Sequence, residues 1–205
     1  MLGANFELQQ RVNRENELLR RLQKLSGKLL RQTDKELLLQ EILHHATQFM
    51  GAANGGISLL DEKEPKWTVL RYGVGIQAAR IGFRLPVTEG LAGEVWRTGR
   101  VQIVEDYRVW PHRVADPQLD RMTTLIMAPL QVSGKIVGMI QISWNDSLFP
   151  VKGETLAAFD QFVAFASIAL ENATLFQQVQ AELHDRRQAE EALKNEQAFT
   201  RAVMD

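Results

Sequence analysis

Leucines recur at Leu18, Leu22, Leu25 and Leu29, spaced four, three and four apart among mostly charged and amide neighbours. That spacing lines one face of a helix over residues 1–32 and predicts a coiled-coil or bundle seam. The opposite face is too polar to be buried, so the seam is expected to pair with a second copy of the chain. A second helix is predicted to start near Thr33, where Thr33 and Glu36 have capping-box spacing. Leu39, Ile42, Ala46 and Phe49 form its apolar stripe, and Gly51 suits a left-handed cap that ends it.

Short strands are predicted next, over Gly56–Leu60 and Lys66–Tyr72 with the polar turn 61–65 between them. A third is expected over Arg80–Leu85. A short helix follows, with Thr88 as its N-cap and Gly99 as its stop, and then a strand over Val101–Val104. Residues 105–121 read as irregular, with Pro111 and Pro117 inside. Two stronger strands, Thr124–Val132 and Lys135–Trp144, are joined by Ser133-Gly134, which fits a tight hairpin. In the second of them Gly138, Ile140, Ile142 and Trp144 share one face while Gln141 and Ser143 lie on the other.

No proline or glycine follows Gly153. A final helix is predicted from there, with Leu156, Phe159, Val163, Ala166 and Leu170 packed on the sheet. Phe176, Val179 and Leu183 continue an apolar seam that Arg186 and Glu190 interrupt before Leu193. A helix longer than about 25 residues reads as a coiled coil or connector. Its far half cannot be buried on a domain of this size.

Composition narrows the function. Of 205 residues, 24 are basic and 25 acidic, and no basic stripe interleaved with aromatics is present, so no nucleic-acid partner is expected. No cysteine occurs. Disulfides, thiolate metal sites, cysteine nucleophiles and thioether-linked cofactors are therefore excluded. No apolar run is long enough to span a bilayer and no leader is visible, so the expected location is cytoplasmic, without membrane contact. Phosphate loops, metal-ligand runs and serine-histidine-acid arrangements are missing. The expectation is no catalytic residue, no metal and no enzymatic activity.

Two stretches carry a family resemblance. The first is Gly90-Leu91-Ala92-Gly93-Glu94-Val95-Trp96-Arg97-Thr98-Gly99-Arg100, leading through Val101–Val104 to Asp106. The second is Thr123-Thr124-Leu125-Ile126-Met127-Ala128-Pro129-Leu130, followed by Gly134-Lys135-Ile136-Val137-Gly138. Together they resemble the GAF domain family, and Ala169-Leu170-Glu171-Asn172-Ala173 is similar to that family's final helix. The resemblance implies an α+β fold with a central antiparallel sheet flanked by helices, here with long coiled-coil helices at both ends. It divides the chain into a dimer-bundle helix over 1–32, a sensory domain over 33–175 and a helical connector over 176–205. Residues 186–203 resemble the connector that leads into a PAS domain in bacterial sensor proteins, so the chain is expected to be a piece of a longer protein.

The glycines have expected structural roles. Gly90 and Gly93 should let the short helix approach the sheet, and Gly138 should leave room for a neighbour or a ligand.

The resemblance also implies a pocket on one sheet face, roofed by residues 106–114. Its candidate lining is Phe83, Trp96, Val104, Tyr107 and Trp110, with His112, Arg113, Met122, Thr124 and Ile126. Tyr107 and Trp110 would stack on a ligand while His112 and Arg113 bind polar groups. A plugged pocket with solvated charges is the competing reading. The identity of any cofactor is unknown, and the covalently attached bilin of some GAF domains is excluded because no cysteine is present. Asn145-Asp146, Phe149 and Gly153-Glu154 depart from the asparagine-lysine, phenylalanine, aspartate-glutamate pattern of cyclic-nucleotide GAF domains. His112 is the only histidine near the expected pocket, which argues against haem.

The expected function is therefore regulatory. The domain would bind a small molecule and relay the change through dimeric helices to a histidine kinase or diguanylate cyclase. The alternative is a ligand-free dimerisation and relay module. A homodimer is expected, with Leu18, Leu22, Leu25, Leu29, Phe176, Val179 and Leu183 at its interface.

Overall fold

A computed structural model describes residues 35–204, with the side chains of residues 36–190. Helix α1 spans Lys35–Phe49. Leu38, Leu39, Ile42, Leu43 and Ala46, at three and four spacing, are its buried face. Gly51, at φ +59°, turns the chain out of the helix region. Strands β1 (Asn54–Leu60) and β2 (Trp67–Val74) form the first hairpin. A 3₁₀ turn over Gly75–Arg80 leads to β3 (Arg84–Pro86), then α2 (Gly90–Thr98) and β4 (Gln102–Val104). The loop 105–121 holds a 3₁₀ turn at Pro117–Leu119. Strands β5 (Met122–Val132) and β6 (Lys135–Asn145) precede α3 (Gly153–Met204).

The strands form one sheet in the order β3-β2-β1-β6-β5-β4, with every pairing antiparallel. It is an α+β fold with helices on the sheet faces. The β5–β6 hairpin sets the register of the centre. Ser133 and Gly134 both have positive φ, the two-residue turn that matches strand twist. Alternation then sends Ile126, Ala128 and Leu130 of β5, and Ile140, Ile142 and Trp144 of β6, toward α1 and α3. Leu125, Met127 and Met139 go to the other face, under α2 and the loop. A bulge between Ile57 and Ser58 skips Arg71 on β2. This lets Leu70 and Tyr72, two apart in sequence, be buried on opposite faces.

Two local expectations are corrected, and two glycines gain a specific neighbour. The strand expected over Arg80–Leu85 is reduced to Arg84–Pro86, because the 3₁₀ turn and Gly82 at φ +91° occupy the stretch before it. The N-cap position of α2 is Glu89 with no side-chain cap, and Thr88 lies one residue earlier. A Cβ on Gly93 would lie 2.4 Å from the Thr88 carbonyl oxygen, so this glycine serves the loop before the helix as well as the helix itself. A Cβ on Gly138 would lie 2.4 Å from the Ser58 carbonyl oxygen, so its room is taken by the neighbouring strand and no ligand is needed to explain it.

Pro129 sits on β5 beyond the end of β4, which reaches only Met127, so its missing donor costs no ladder bond there. Asn54 ties β1 to its surroundings. Its amide donates to Ser143 Oγ (3.1 Å) and Asn145 Oδ1 (2.8 Å), and its Oδ1 accepts from the Ile76 backbone N–H (3.0 Å).

α3 is 52 residues long, about 80 Å of helix. Phe159, Phe162, Ala166, Ala169 and Leu170 are buried against α1 and the sheet. Phe162, absent from the expected stripe, meets Phe49 at 6.0 Å between ring centroids, and Val163 is only partly buried. Residues 175–190 are exposed throughout. Phe176 (47%), Val179 (52%) and Leu183 (44%) therefore form an apolar seam facing solvent. The expected seam residues Leu18, Leu22, Leu25 and Leu29 lie outside the described residues.

Candidate functional site

The sheet face away from α1 and α3 carries a cavity of about 70 Å³. Its floor is Ser58 of β1, Thr68 and Leu70 of β2, Leu125 and Met127 of β5, and Met139 and Gln141 of β6. Gln141 reaches the floor because β6 alternates, with Ile140 and Ile142 on the helix face. Leu91 and Ala92 of α2 form one wall. Gln77, Arg80 and Phe83 form a second, and Tyr107, Val114 and Leu119 of the loop cover the top. A void of roughly 150 Å³ holds benzene. This cavity therefore takes only a small molecule unless the loop moves.

The loop is held from inside. Tyr107 is buried and its hydroxyl accepts from the Val114 backbone N–H at 2.9 Å. Burial pushes the Tyr107 phenol above its ordinary value, while the Val114 bond and the Arg113 charge oppose that shift. The folded state thus holds this proton more tightly than the unfolded chain, whose phenol titrates near 10. The stability tied to it is complete below about pH 10 and is lost as pH rises through the folded value. Tyr107→Phe should flatten the loss of stability above pH 10 in alkaline denaturation. It should also cost about 1 kcal/mol at neutral pH, because the Val114 N–H loses its acceptor. A wild-type slope retained in the variant would assign the alkaline loss to other groups.

The outer side of the loop is built from its own ion pairs. Asp106 accepts from the Arg108 backbone N–H (3.1 Å) and from its guanidinium (2.9 and 2.8 Å). Those side-chain bonds hold the Asp106 carboxyl below its usual range. Arg113 donates to the Arg108 carbonyl at 3.1 Å and pairs with Asp120.

The ten expected pocket residues separate. Phe83, Tyr107 and Met122 line the cavity. Val104 is buried in the same apolar cluster without reaching the lining, and Trp96 and Trp110 pack against that cluster from outside. Trp110 lies 6.0 Å from Tyr107 and 5.6 Å from His112, ring centroid to centroid, and His112 is exposed. Arg113 is committed to Asp120 and the loop backbone. Thr124 is buried and bonded to the backbone. Its hydroxyl donates to the Glu105 carbonyl (3.0 Å) and accepts from the Phe149 N–H (2.9 Å). Ile126 falls on the opposite sheet face, among the residues that meet the helices, because it is one residue out of phase with Leu125 and Met127.

Sequence reasoning missed Arg80, Gln77, Ser58, Thr68, Met127, Met139 and Gln141 as lining. Strand alternation carried a signal for the last three: Gln141 interrupts an apolar strand on the face that Met139 shares. Arg80 and Gln77 had none, since the 3₁₀ turn that places them has no local sequence signature and Arg80 falls in the stretch where a strand is expected.

The family described as "GAF domain" matches residues 32–171, more than half of the chain. The chain belongs to the GAF domain family. GAF domains are typically regulatory or sensory parts of signalling proteins.

Among solved structures, the GAF domain of an Acinetobacter phosphoenolpyruvate-protein phosphotransferase is similar, with a TM-score of 0.65 at 16% identity over 79% of this chain and 98% of that one. A free methionine-R-sulfoxide reductase from Neisseria meningitidis, solved with its substrate, reaches 0.64 at 19% identity over 75% of this chain and 88% of that one. The nlh2 GAF domain of A. aeolicus, in an inactive state, reaches 0.61 at 16% identity, covering 80% and 99%. At such identities the likeness is one of fold. No curated protein matches the chain.

Among the described residues, no group of three or more histidines and acids could hold a metal ion. Among them also, no helix is long and apolar enough to cross a membrane.

Proposed function

We propose that this GAF domain is a sensory module that binds a small molecule in the cavity under the 105–119 loop. It relays the change through paired helices to an output domain, a histidine kinase or a diguanylate cyclase. The observation that carries the reading is the continuity of α3. Its first five turns are core, with Phe159, Phe162, Ala166 and Leu170 buried. The same helix continues past Leu170 with Phe176, Val179 and Leu183 on one exposed face. A shift of the sheet therefore moves the helix, and the helix has an unburied apolar stripe suited to a second copy. A parallel homodimer that also uses Leu18, Leu22, Leu25 and Leu29 satisfies this stripe, and a downstream PAS domain would receive it.

The small volume of the cavity favours a second reading, a relay module whose pocket is filled by its own side chains. Native mass spectrometry of the purified chain beside its denatured mass separates the two. The expected result is a dimer at micromolar concentration, with Val179→Glu and Leu183→Glu together giving a folded monomer. A wild-type monomer at that concentration overturns the relay. A dimer that neither carries nor accepts a small molecule supports the filled-pocket reading.

A further inference from the structure

Among the described residues lining the cavity, Arg80 is the one that carries a charge, and its side chain is only 8% exposed. A guanidinium has five N–H donors and cannot shed its charge, so burying it requires acceptors and a counter-charge. The structure supplies few. Nη1 donates to Gln77 Oε1 at 3.1 Å. The guanidinium carbon lies 4.3 Å from the centre of the Phe83 ring. Nη2 lies 2.9 Å from Asp116 Oδ2, close enough for an ion pair. Neither of its N–H bonds is aimed at an acceptor, however, so Nη2 is buried without a hydrogen bond. The counter-charge is thus present and the hydrogen bonding is incomplete.

Asp116 belongs to the lid. Its Oδ1 accepts from the Gln118 backbone N–H at 2.9 Å and caps the 3₁₀ turn that carries Leu119 into the cavity lining. Its side chain is 22% exposed and is not part of the lining. Asp116 can therefore move into water at small cost, whereas Arg80 cannot.

We propose that the ligand of this cavity is a small monocarboxylate with a short apolar body, and that its carboxylate takes Arg80 from Asp116. This rests on the sensory reading given above and names the ligand class of the same site. The charge balance selects a monoanion, because one buried positive charge stays matched by one negative charge before and after the exchange. A dianion such as phosphate would leave a net buried charge. A carboxylate can also accept two N–H bonds in parallel from the fork, which Asp116 does not do. Most of the remaining lining, Phe83, Leu91, Met127 and Met139 included, is apolar and accepts an aliphatic body smaller than benzene, while Ser58, Thr68 and Gln141 add uncharged polar groups on the floor. Once released, Asp116 no longer ties the lid to Arg80. The bound acid therefore favours a different loop arrangement through a differential contact, as a ligand-driven switch requires.

The test uses the purified chain with propionate and isobutyrate as probes, and propionamide and isobutyramide as neutral isosteres. Binding is followed by calorimetry and by the melting temperature. Expected are saturable binding of the acids only, about tenfold tighter binding in Asp116→Asn, and loss of binding in Arg80→Gln. Asp116→Asn keeps a side-chain oxygen for the Gln118 cap, and circular dichroism checks its fold. It decides the question even if Arg80→Gln does not fold. Equal binding of acids and amides, or weaker binding of the acids by Asp116→Asn, overturns the proposal and leaves small-molecule sensing intact. The proposal also fails if no acid binds, and a retained neutral molecule in the native mass would then keep the sensory reading alive.

Discussion

Phe159→Ala should remove about 3–5 kcal/mol of folding stability, as large-to-small changes do at fully buried aromatic sites. Phe159 has no exposed surface and packs in the cluster that joins α1, α3 and the helix face of the sheet. The cost has two parts: the transfer free energy of the ring, and the cavity left between a helix and a sheet that cannot collapse onto each other. For a domain of this size the loss lowers the melting temperature by roughly 10–15 °C. Phe176→Ala is the matched control. It is the same chemical change 17 residues later on the same helix, at a residue 47% exposed in the protomer. Its effect on protomer stability should be within about 0.5 kcal/mol, and its consequence should appear instead in self-association. Chemical denaturation of both variants at several protein concentrations separates the two roles. Equal losses in both, independent of concentration, would place Phe176 in the core and remove the seam.

Gly138→Ala should be the second large effect, about 3 kcal/mol, at the upper end of overpacking costs. The added Cβ would meet the Ser58 carbonyl oxygen at 2.4 Å, the Leu59 Cδ2 at 2.7 Å and the Leu59 Cα at 3.1 Å. Two of the three are backbone atoms of β1, the strand paired with β6 at Leu59↔Gly138. Backbone cannot rotate away as a side-chain tip can, so the pairing itself must open. Hydrogen exchange should show lost protection at β1 and β6 amides on either side of this pair, with the β5–β6 hairpin turn less affected. Gly153→Ala provides the comparison. No atom lies within 4 Å of its added Cβ and its φ lies outside the left-handed region, so it should be within about 0.5 kcal/mol of wild type. Equal stability of the two alanine variants would show that β1 can move back from Gly138 at little cost.

The difference between these two glycines also shows how far a sequence can be read. Gly138 and Gly153 look alike as letters, and only the partner strand tells them apart. The same holds for the site. The β5–β6 hairpin was legible, because Ser133-Gly134 between two long apolar runs constrains the chain locally. The α1 stripe was legible from its period of 3.6 at Leu39, Ile42 and Ala46, whereas Phe49 at its end stays 39% exposed. Strand phase was not carried far enough at Ile126. The expected pocket includes it, although Leu125 and Met127 on either side are the ones that face the cavity. The 3₁₀ turn at Gly75–Arg80 had no local signature. Its position depends on contacts such as Asn54 Oδ1 accepting from the Ile76 N–H, across 22 residues. His112 and Arg113 drew attention as functional types in an irregular segment, but Arg113 is committed to Asp120 and His112 to the outer side of the Trp110 ring.

Patterning along the sequence alone determined that this chain forms an antiparallel sheet between helices, that α3 outruns its domain, and that cysteine chemistry is excluded. Periodicity and composition are properties of the chain itself, so no fold is needed to read them. Tertiary structure decided which face of the sheet holds the cavity, how small that cavity is, and that Arg80 is its charged residue. Those facts depend on the register between strands and on a loop folding back over them. Residues 58, 80 and 141 come together only when those long-range pairings form, and nothing in their immediate neighbours records it.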